Sequence, residues 1–210
     1  SPQKIVYIKA NTNKSLLKQI NNISKKAISA FKRNEIKEKQ KRIKNSILKT
    51  SELDPIGITL TMSSGYKLFK KETKNKLWFQ RETQKGSVNL LIYILPLNKE
   101  SPNLEKIVAL RDSIGKAFVP GRNKDSYLIT EKAYEPYFFK TKVSSLSAFE
   151  TRGTWEVVND YMAGPFLNYY IIDNKNNRAL VIEGFVFSPS VRKREYLVEI
   201  EAIIRSLKIL

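Results

Sequence analysis

Any chemistry in this chain has to be done without imidazole or thiol, because its 210 residues include no histidine and no cysteine. That removes Ser-His-Asp triads, imidazole bases and ligands, thiolate nucleophiles, thiolate zinc sites and disulfides. Paired carboxylates, a Ser–Lys pair, tyrosine or a carboxylate-held hard metal remain. The acids in apolar, strand-like surroundings are Asp112, Glu150, Glu156, Asp160, Asp173 and Glu183. A glycosidase-type hydrolase needs two carboxylates facing each other across a cleft, and no spacing here selects a pair. Carboxylate-pair hydrolysis therefore stands as an alternative, with no catalytic, cofactor or metal residue assigned. No Walker loop, strand-linked GxGxxG or EF-hand ladder is present either.

Two sets of residues are candidates for other roles. The first is cationic: Lys32, Arg33, Lys37, Lys41, Arg42 and Lys44 crowd one stretch and would form an interaction surface. The second is Arg152, Trp155, Gly164, Pro165, Phe166 and Glu183, either structural or at the edge of a ligand site. Within it, Glu183 lies between Ile182 and Gly184 in an apolar run, so it is expected to need an ion-pair partner, Arg152 or Arg178. Asp160–Phe166 reads as a connection between strands, with Gly164-Pro165 shaping a tight turn. The net charge of +18 suggests a nucleic-acid binder, but 28 of the 38 basic residues are lysine. Arginine is the side chain suited to bidentate phosphate and base recognition, and Leu90–Leu95 lacks the glycine–aromatic pattern of an RNA-recognition sheet. Nucleic acid is disfavoured.

The elements that must hold these residues follow from periodicity. Residues 4–10 fit a short strand, and Thr12 or Asn13 can cap a long helix over 14–49, which Leu53-Asp54-Pro55 stops. Leu16, Leu17, Ile20, Ile23, Ala27, Ile28 and Phe31 fall on one stripe, which predicts that residues 16–31 pack on a sheet. The stripe fades beyond Lys32, so residues 32–44 are expected to be solvated. Aspartate at Ile28 or Phe31 should then destabilise the fold by several kcal/mol, and charge reversal at Lys37 and Lys41 should leave the melting temperature nearly unchanged while weakening binding to a partner or anionic surface. Strands are predicted at 58–62, 66–69, 77–81, 88–95, 127–130, 137–142, 149–159, 166–173 and 179–187, with helices at 102–117 and 191–208. Pro102 suits the first turn of its helix, and Gly115 marks its end.

Residues 76–117 and 169–210 share one pattern: strand, turn, apolar strand ending at a proline, amphipathic helix. An offset of 93 positions carries Pro96 to Pro189, Leu104 to Leu197, Ile107 to Ile200 and Ile114 to Leu207. The fold expected is α+β: two related lobes of antiparallel sheet, each followed by a packing helix, plus one long basic N-terminal helix. Hairpins without βαβ alternation predict sheets covered on one face. Pro120-Gly121-Arg122-Asn123-Lys124 divides the chain into 1–121 and 122–210.

The stretches ETRGTWE (150–156), MAGPF (162–166) and EGFVFSPS (183–190), with RDSIGKAFVPG (111–121) and SYLITE (126–131), resemble a Bacteroidota family of predicted lipoproteins known as domain of unknown function 4837. The likeness runs back through the basic helix over nearly the whole chain. It implies an exported cell-envelope protein, on the periplasmic face or the outer membrane, anchored by lipid at an N-terminal cysteine. That cysteine is absent from this chain, so a trimmed or partial sequence is expected. The opening Ser1-Pro2-Gln3-Lys4 has no signal-peptide pattern, and no run approaches the ~18 apolar residues of a membrane span. The family implies no activity or catalytic residue. The expected function is a non-enzymatic envelope scaffold that binds another protein. The alternatives are an anionic-surface binder acting through the basic helix, for lipid headgroup, glycolipid or nucleic acid, and the hydrolase.

Overall fold

The computed structural model describes residues 3–98 and 100–210, so Ser1, Pro2 and Lys99 lie outside it. Helix α1 (Asn13–Ile43) starts at Thr12, whose hydroxyl accepts from the Ser15 amide. It stops before residue 49 because Leu48 donates to the Met62 carbonyl and Ile47 bridges Ser63. Those backbone groups find partners in an extended pairing. A 3₁₀ turn at Asp54–Ile56 precedes β1 (Ile58–Thr59), then β2 (Lys67–Thr73), β3 (Lys76–Thr83) and β4 (Gly86–Pro96). Helix α2 (Leu104–Phe118), capped by Asn103, is followed by β5 (Leu128–Thr130), β6 (Tyr137–Val143), β7 (Leu146–Val157), β8 (Ala163–Asp173) and β9 (Arg178–Phe187). Helix α3 (Arg194–Ile204) and β10 (Lys208–Ile209), which pairs with β1, end the described chain. Residues 4–10 carry no strand among the described residues. Gly115 does not end α2: a Cβ there would lie 2.1 Å from the Leu128 carbonyl oxygen, so glycine admits β5 against the helix.

The α+β class holds, and the two predicted sheet halves join edge to edge. One antiparallel sheet runs β2-β3-β4-β9-β8-β7-β5, with β6 also on β7. Its centre is the β4–β9 ladder, paired from Ser87↔Phe187 to Pro96↔Arg178. The Pro120–Lys124 segment is a tied turn between the halves. Pro120 bridges Tyr127, and Arg122 grips Asp160 with two hydrogen bonds of 2.7 and 3.0 Å. At the outer rim, β2 carries Lys67, Lys70 and Lys71, and its register on β3 is broken twice.

The sheet is covered on both faces, where one covered face was expected. Side chains alternate along a strand, and Leu91 stands opposite Glu183, so residues of equal parity on β4 and β9 share a face. An odd offset therefore sends each residue of the first repeat to the other face in the second. Leu90 belongs to the core under α3, whereas its counterpart Glu183 points toward α2. The helices follow: Ile107 of α2 packs in one core and Ile200 of α3 in the other. Gly184 marks the closeness of α3, since a Cβ there would lie 2.2 Å from the Ile200 side chain. The α2 core is rich in aromatics, including Trp78, Phe118, Trp155, Phe166 and Phe185. The α3 core is mainly aliphatic and takes in Ile36 and Ile43 of α1.

Candidate interaction surface

Helix α1 meets the body by the half expected to be solvated. Its buried residues are Ile36 and Ile43. Around them Lys32 pairs with Glu201 at 3.1 Å, Lys39 with Glu195 at 3.3 Å, and Gln40 donates to the Ala202 carbonyl at 3.0 Å. Arg194 binds Glu35 with both terminal nitrogens, at 2.5 and 2.7 Å. The basic segment docks because α3 offers glutamates that complement it, with two isoleucines one heptad apart beneath. The N-terminal half does the reverse: Leu17, Ile28 and Phe31 are 62%, 65% and 43% exposed. At 100° per residue the stripe centres roughly 140° around the axis from Ile36 and Ile43, so it faces away from the body. The expectation that Ile28 and Phe31 are core residues is overturned.

Of the cationic candidates, Lys32 is held by Glu201 and Lys41 by Glu38 at 2.7 Å, whereas Arg33, Lys37, Arg42 and Lys44 are exposed. Below Lys32 the ionic network continues into the sheet. Glu201 accepts from Arg152 at 2.7 Å and from Arg205 at 2.8 Å. Arg152 also pairs with Glu150, which accepts from the Tyr169 hydroxyl at 2.6 Å. Burial pushes the Glu201 carboxyl up, but hydrogen bonds from Arg152 and Arg205 and the charges of Arg152 and Lys32 outweigh it and bring it down to about 2. Burial, with the charges of Glu201 and Glu150, raises the Tyr169 hydroxyl. An open cleft of about 510 Å³ sits over this network, lined by Lys32, Tyr137, Phe139, Lys140, Glu150, Arg152 and Arg205. On its β6 wall Tyr137 and Phe139 stack with ring centroids 6.3 Å apart, both exposed, and Tyr134 is exposed nearby in sequence.

The second candidate set is not one site. Arg152 faces α3, while Trp155, Phe166 and Glu183 lie under α2. Gly164, Pro165 and Phe166 form no loop: they are strand residues of β8, opposite Trp155, Thr154 and Gly153. Gly164 is glycine for space, since a Cβ would come within 2.2 Å of the Val186 carbonyl oxygen. Glu183 is wholly buried, and its partner is neither Arg152 nor Arg178, which bind Glu150 with Glu201 and Asp173 respectively. It lies 2.9 Å from Arg111 Nε, whose N–H is not aligned for a hydrogen bond, and accepts from Asn168 at 2.9 Å. Burial raises its carboxyl, and the Arg111 charge and the Asn168 hydrogen bond offset this in part.

Arg111 escaped the sequence reading. Its guanidinium donates to the Thr130 hydroxyl at 2.8 Å and lies 3.9 Å over the Phe166 ring. Asp112 accepts from both the Thr130 amide and hydroxyl at 2.7 Å. The signal was available, because Ile107, Arg111, Ile114 and Phe118 share one helical stripe. Among the described residues no group of three metal-binding side chains converges, and no helix is long and apolar enough to cross a membrane.

Among solved structures, the chain is similar to the Saccharomyces cerevisiae Ran-binding protein Mog1p, with 11% identity and a TM-score of 0.46 over 78% of this chain and 96% of that one. A mutant of protein Mog1 gives 8% identity and a TM-score of 0.42, over 73% and 90%. No curated protein matches the chain in sequence. Residues 1–44, which include α1, match a family described as Domain of unknown function (DUF8532), so the first family does not extend back through the basic helix. From residue 45 to residue 206, which takes in the whole eight-stranded sheet, α2 and α3, the match is to Domain of unknown function (DUF4837), and the chain belongs to that family.

Proposed function

We propose that this protein is a non-enzymatic scaffold of the cell envelope that docks an acidic segment of a partner protein in the cleft between β6 and the α1–α3 seam. The observation that carries the reading is the pairing of exposed rings with cations. Tyr137 and Phe139 flank a cleft whose charged lining is Lys32, Lys140, Arg152 and Arg205 against Glu150. Aromatic side chains and arginine are enriched where proteins bind each other, and a net positive lining favours an acidic segment. The envelope location rests on the resemblance of ETRGTWE, MAGPF and EGFVFSPS to predicted Bacteroidota lipoproteins, with the lipid on a cysteine upstream of this chain.

Against a carboxylate-pair hydrolase stands the use made of the acids. Glu150, Asp160, Asp173, Glu183 and Glu201 are each paired with arginine. A general acid needs a raised carboxyl that a substrate can reach; that of Glu201 is held low, and that of Glu183, which burial raises, is wholly enclosed. A photo-crosslinking residue at Tyr137, in whole protein mixed with envelope extract, tests the docking reading. One acidic protein should be captured across a salt series, and a Phe139→Ser/Lys140→Glu variant should lose it. No capture, or capture the variant keeps, overturns the assignment, as does turnover in a hydrolase screen that Glu150→Gln abolishes.

A further inference from the structure

We propose that the N-terminal half of α1 lies on the surface of an anionic lipid bilayer, with its outward stripe in the headgroup layer. This surface is separate from the β6 cleft, and the inference does not rest on the docking reading above.

The stripe comprises Leu17, Ile20, Ile28 and Phe31, all exposed, with Leu16, Ile23 and Ala27 half-buried beside them. Among the described residues no α1 side chain before Ile36 is buried. From Leu16 to Phe31 the stripe extends about 22 Å at the helical rise. An apolar face of that length on a projecting helix needs a cover, and its charge says which kind. From residue 1 to residue 34 the chain has no Asp or Glu, while Lys4, Lys9, Lys14, Lys18, Lys25, Lys26, Lys32 and Arg33 are all cationic. On the helix, Lys14 and Lys26 flank the stripe at roughly 120° to either side, with Lys18 and Lys25 behind it. Long lysine stems can lie along an apolar boundary and keep their heads in the polar layer.

A second copy of the chain is a poor occupant, since it would bring an equally cationic helix against this one. A partner helix is also poorly matched, because helix pairs set their register with flanking charges of both signs. Flanks of one sign suit a surface of uniform opposite charge, where each cation adds attraction without a fixed register. The dock of Ile36, Ile43 and the α3 glutamates fixes the rotation of α1, so the stripe is presented outward before any lipid is met.

Flotation of the whole protein with phosphatidylcholine vesicles containing roughly one third phosphatidylglycerol, against phosphatidylcholine alone, tests this over a salt series. The anionic vesicles should bind, the neutral ones should not, and added salt should weaken binding steeply. Leu17→Asp/Ile28→Asp and, separately, Lys14→Glu/Lys26→Glu should each lower affinity at least about tenfold with Tm unchanged, because all four side chains are exposed. An Ile28→Trp reporter should shift its added emission to the blue on anionic vesicles. A Tyr137→Ser/Phe139→Ser variant should bind vesicles normally, which separates this surface from the cleft. Three results overturn the proposal: no binding to anionic vesicles, binding indifferent to Leu17→Asp/Ile28→Asp, or a lipid-free dimer or acidic-protein complex that needs the stripe while vesicles are ignored.

Discussion

Both faces of the sheet bury glutamate against arginine, and they manage the charge in opposite ways. Under α2, Glu183 meets the Arg111 guanidinium, which also lies 3.5 Å from the partly exposed Asp112. Around them Arg111 Nη2, the Tyr93 hydroxyl and Asn168 Oδ1 have no hydrogen-bond partner among the described residues. Under α3, Glu150 and Glu201 are shared among Arg152, Arg205 and Lys32, with Tyr169 closing the ring beneath an open cleft. The first arrangement leaves the Glu183 carboxyl raised; the second pulls Glu201 down to about 2. Shielding from water is common to both. What differs is the number of donors that meet the charge, and that sets whether a buried carboxylate is held at a cost or in comfort.

The largest test of this contrast is Arg111→Ala. Removing the guanidinium beside a wholly buried glutamate should lower unfolding free energy by about 3–5 kcal/mol, measured by urea denaturation. Replacing both partners by methionine should recover most of that, since an apolar pair leaves no orphan charge. A double variant as unstable as the single would break the contrast, by showing the α2-face pair to be a net stabiliser.

Next comes Glu201→Gln. A carboxyl lowered from 4.5 to about 2 in the folded state contributes about 3 kcal/mol at neutral pH. That contribution is present above pH 4.5 and is lost as pH falls toward 2. The glutamine variant should therefore be less stable at pH 7 and should lack this part of the acid-induced loss. Glu183 carries the opposite sign: its raised carboxyl takes up a proton more readily folded than unfolded, so acidification from neutrality relieves the α2 face. The deficit of Arg111→Ala should accordingly shrink at mildly acid pH, while that of Arg152→Ala should not. Equal pH dependence of the two variants would erase the distinction between the faces. The smallest effect is expected of Lys32→Ala, below about 1 kcal/mol, because its half-exposed ammonium supplements arginines that already satisfy Glu201.

Much of the sheet was legible. Hairpins β3–β4 and β8–β9 and helices α2 and α3 fall within a few residues of their expected bounds, because each combines a strong apolar pattern with a turn. The covering of both faces was legible too, and was missed: β4 reads VNLLIYIL and β9 reads ALVIEGFVF, near-continuous runs that mark strands buried on both sides. The docking of α1 was not legible from its own residues. Counting apolar side chains favoured residues 16–31, whereas the dock is decided by Glu195 and Glu201, more than 150 residues away, which give the lysine-rich half a complementary floor. The partner of Glu183 was misassigned for a related reason. Arg152 is near it in the sheet but points through to the other side, a fact that appears once register is known.

Strand β2 also bears on how concentrated solutions of this protein behave. A rim strand offers unpaired amides and carbonyls to any passing chain, the template from which fibrils grow. Here the rim is interrupted at two places, between Leu68 and Lys70 and between Lys71 and Thr73, so an incoming strand cannot keep a straight ladder. Lys70 and Lys71 are bound to Phe118 and Glu52, which anchors the uneven edge to the body, and Lys67 stands exposed to repel its counterpart on a second molecule. The exposed Phe69 is drawn over Trp78, with ring centroids 4.5 Å apart. An eight-stranded sheet with a largely apolar centre is thereby guarded along its β2 edge.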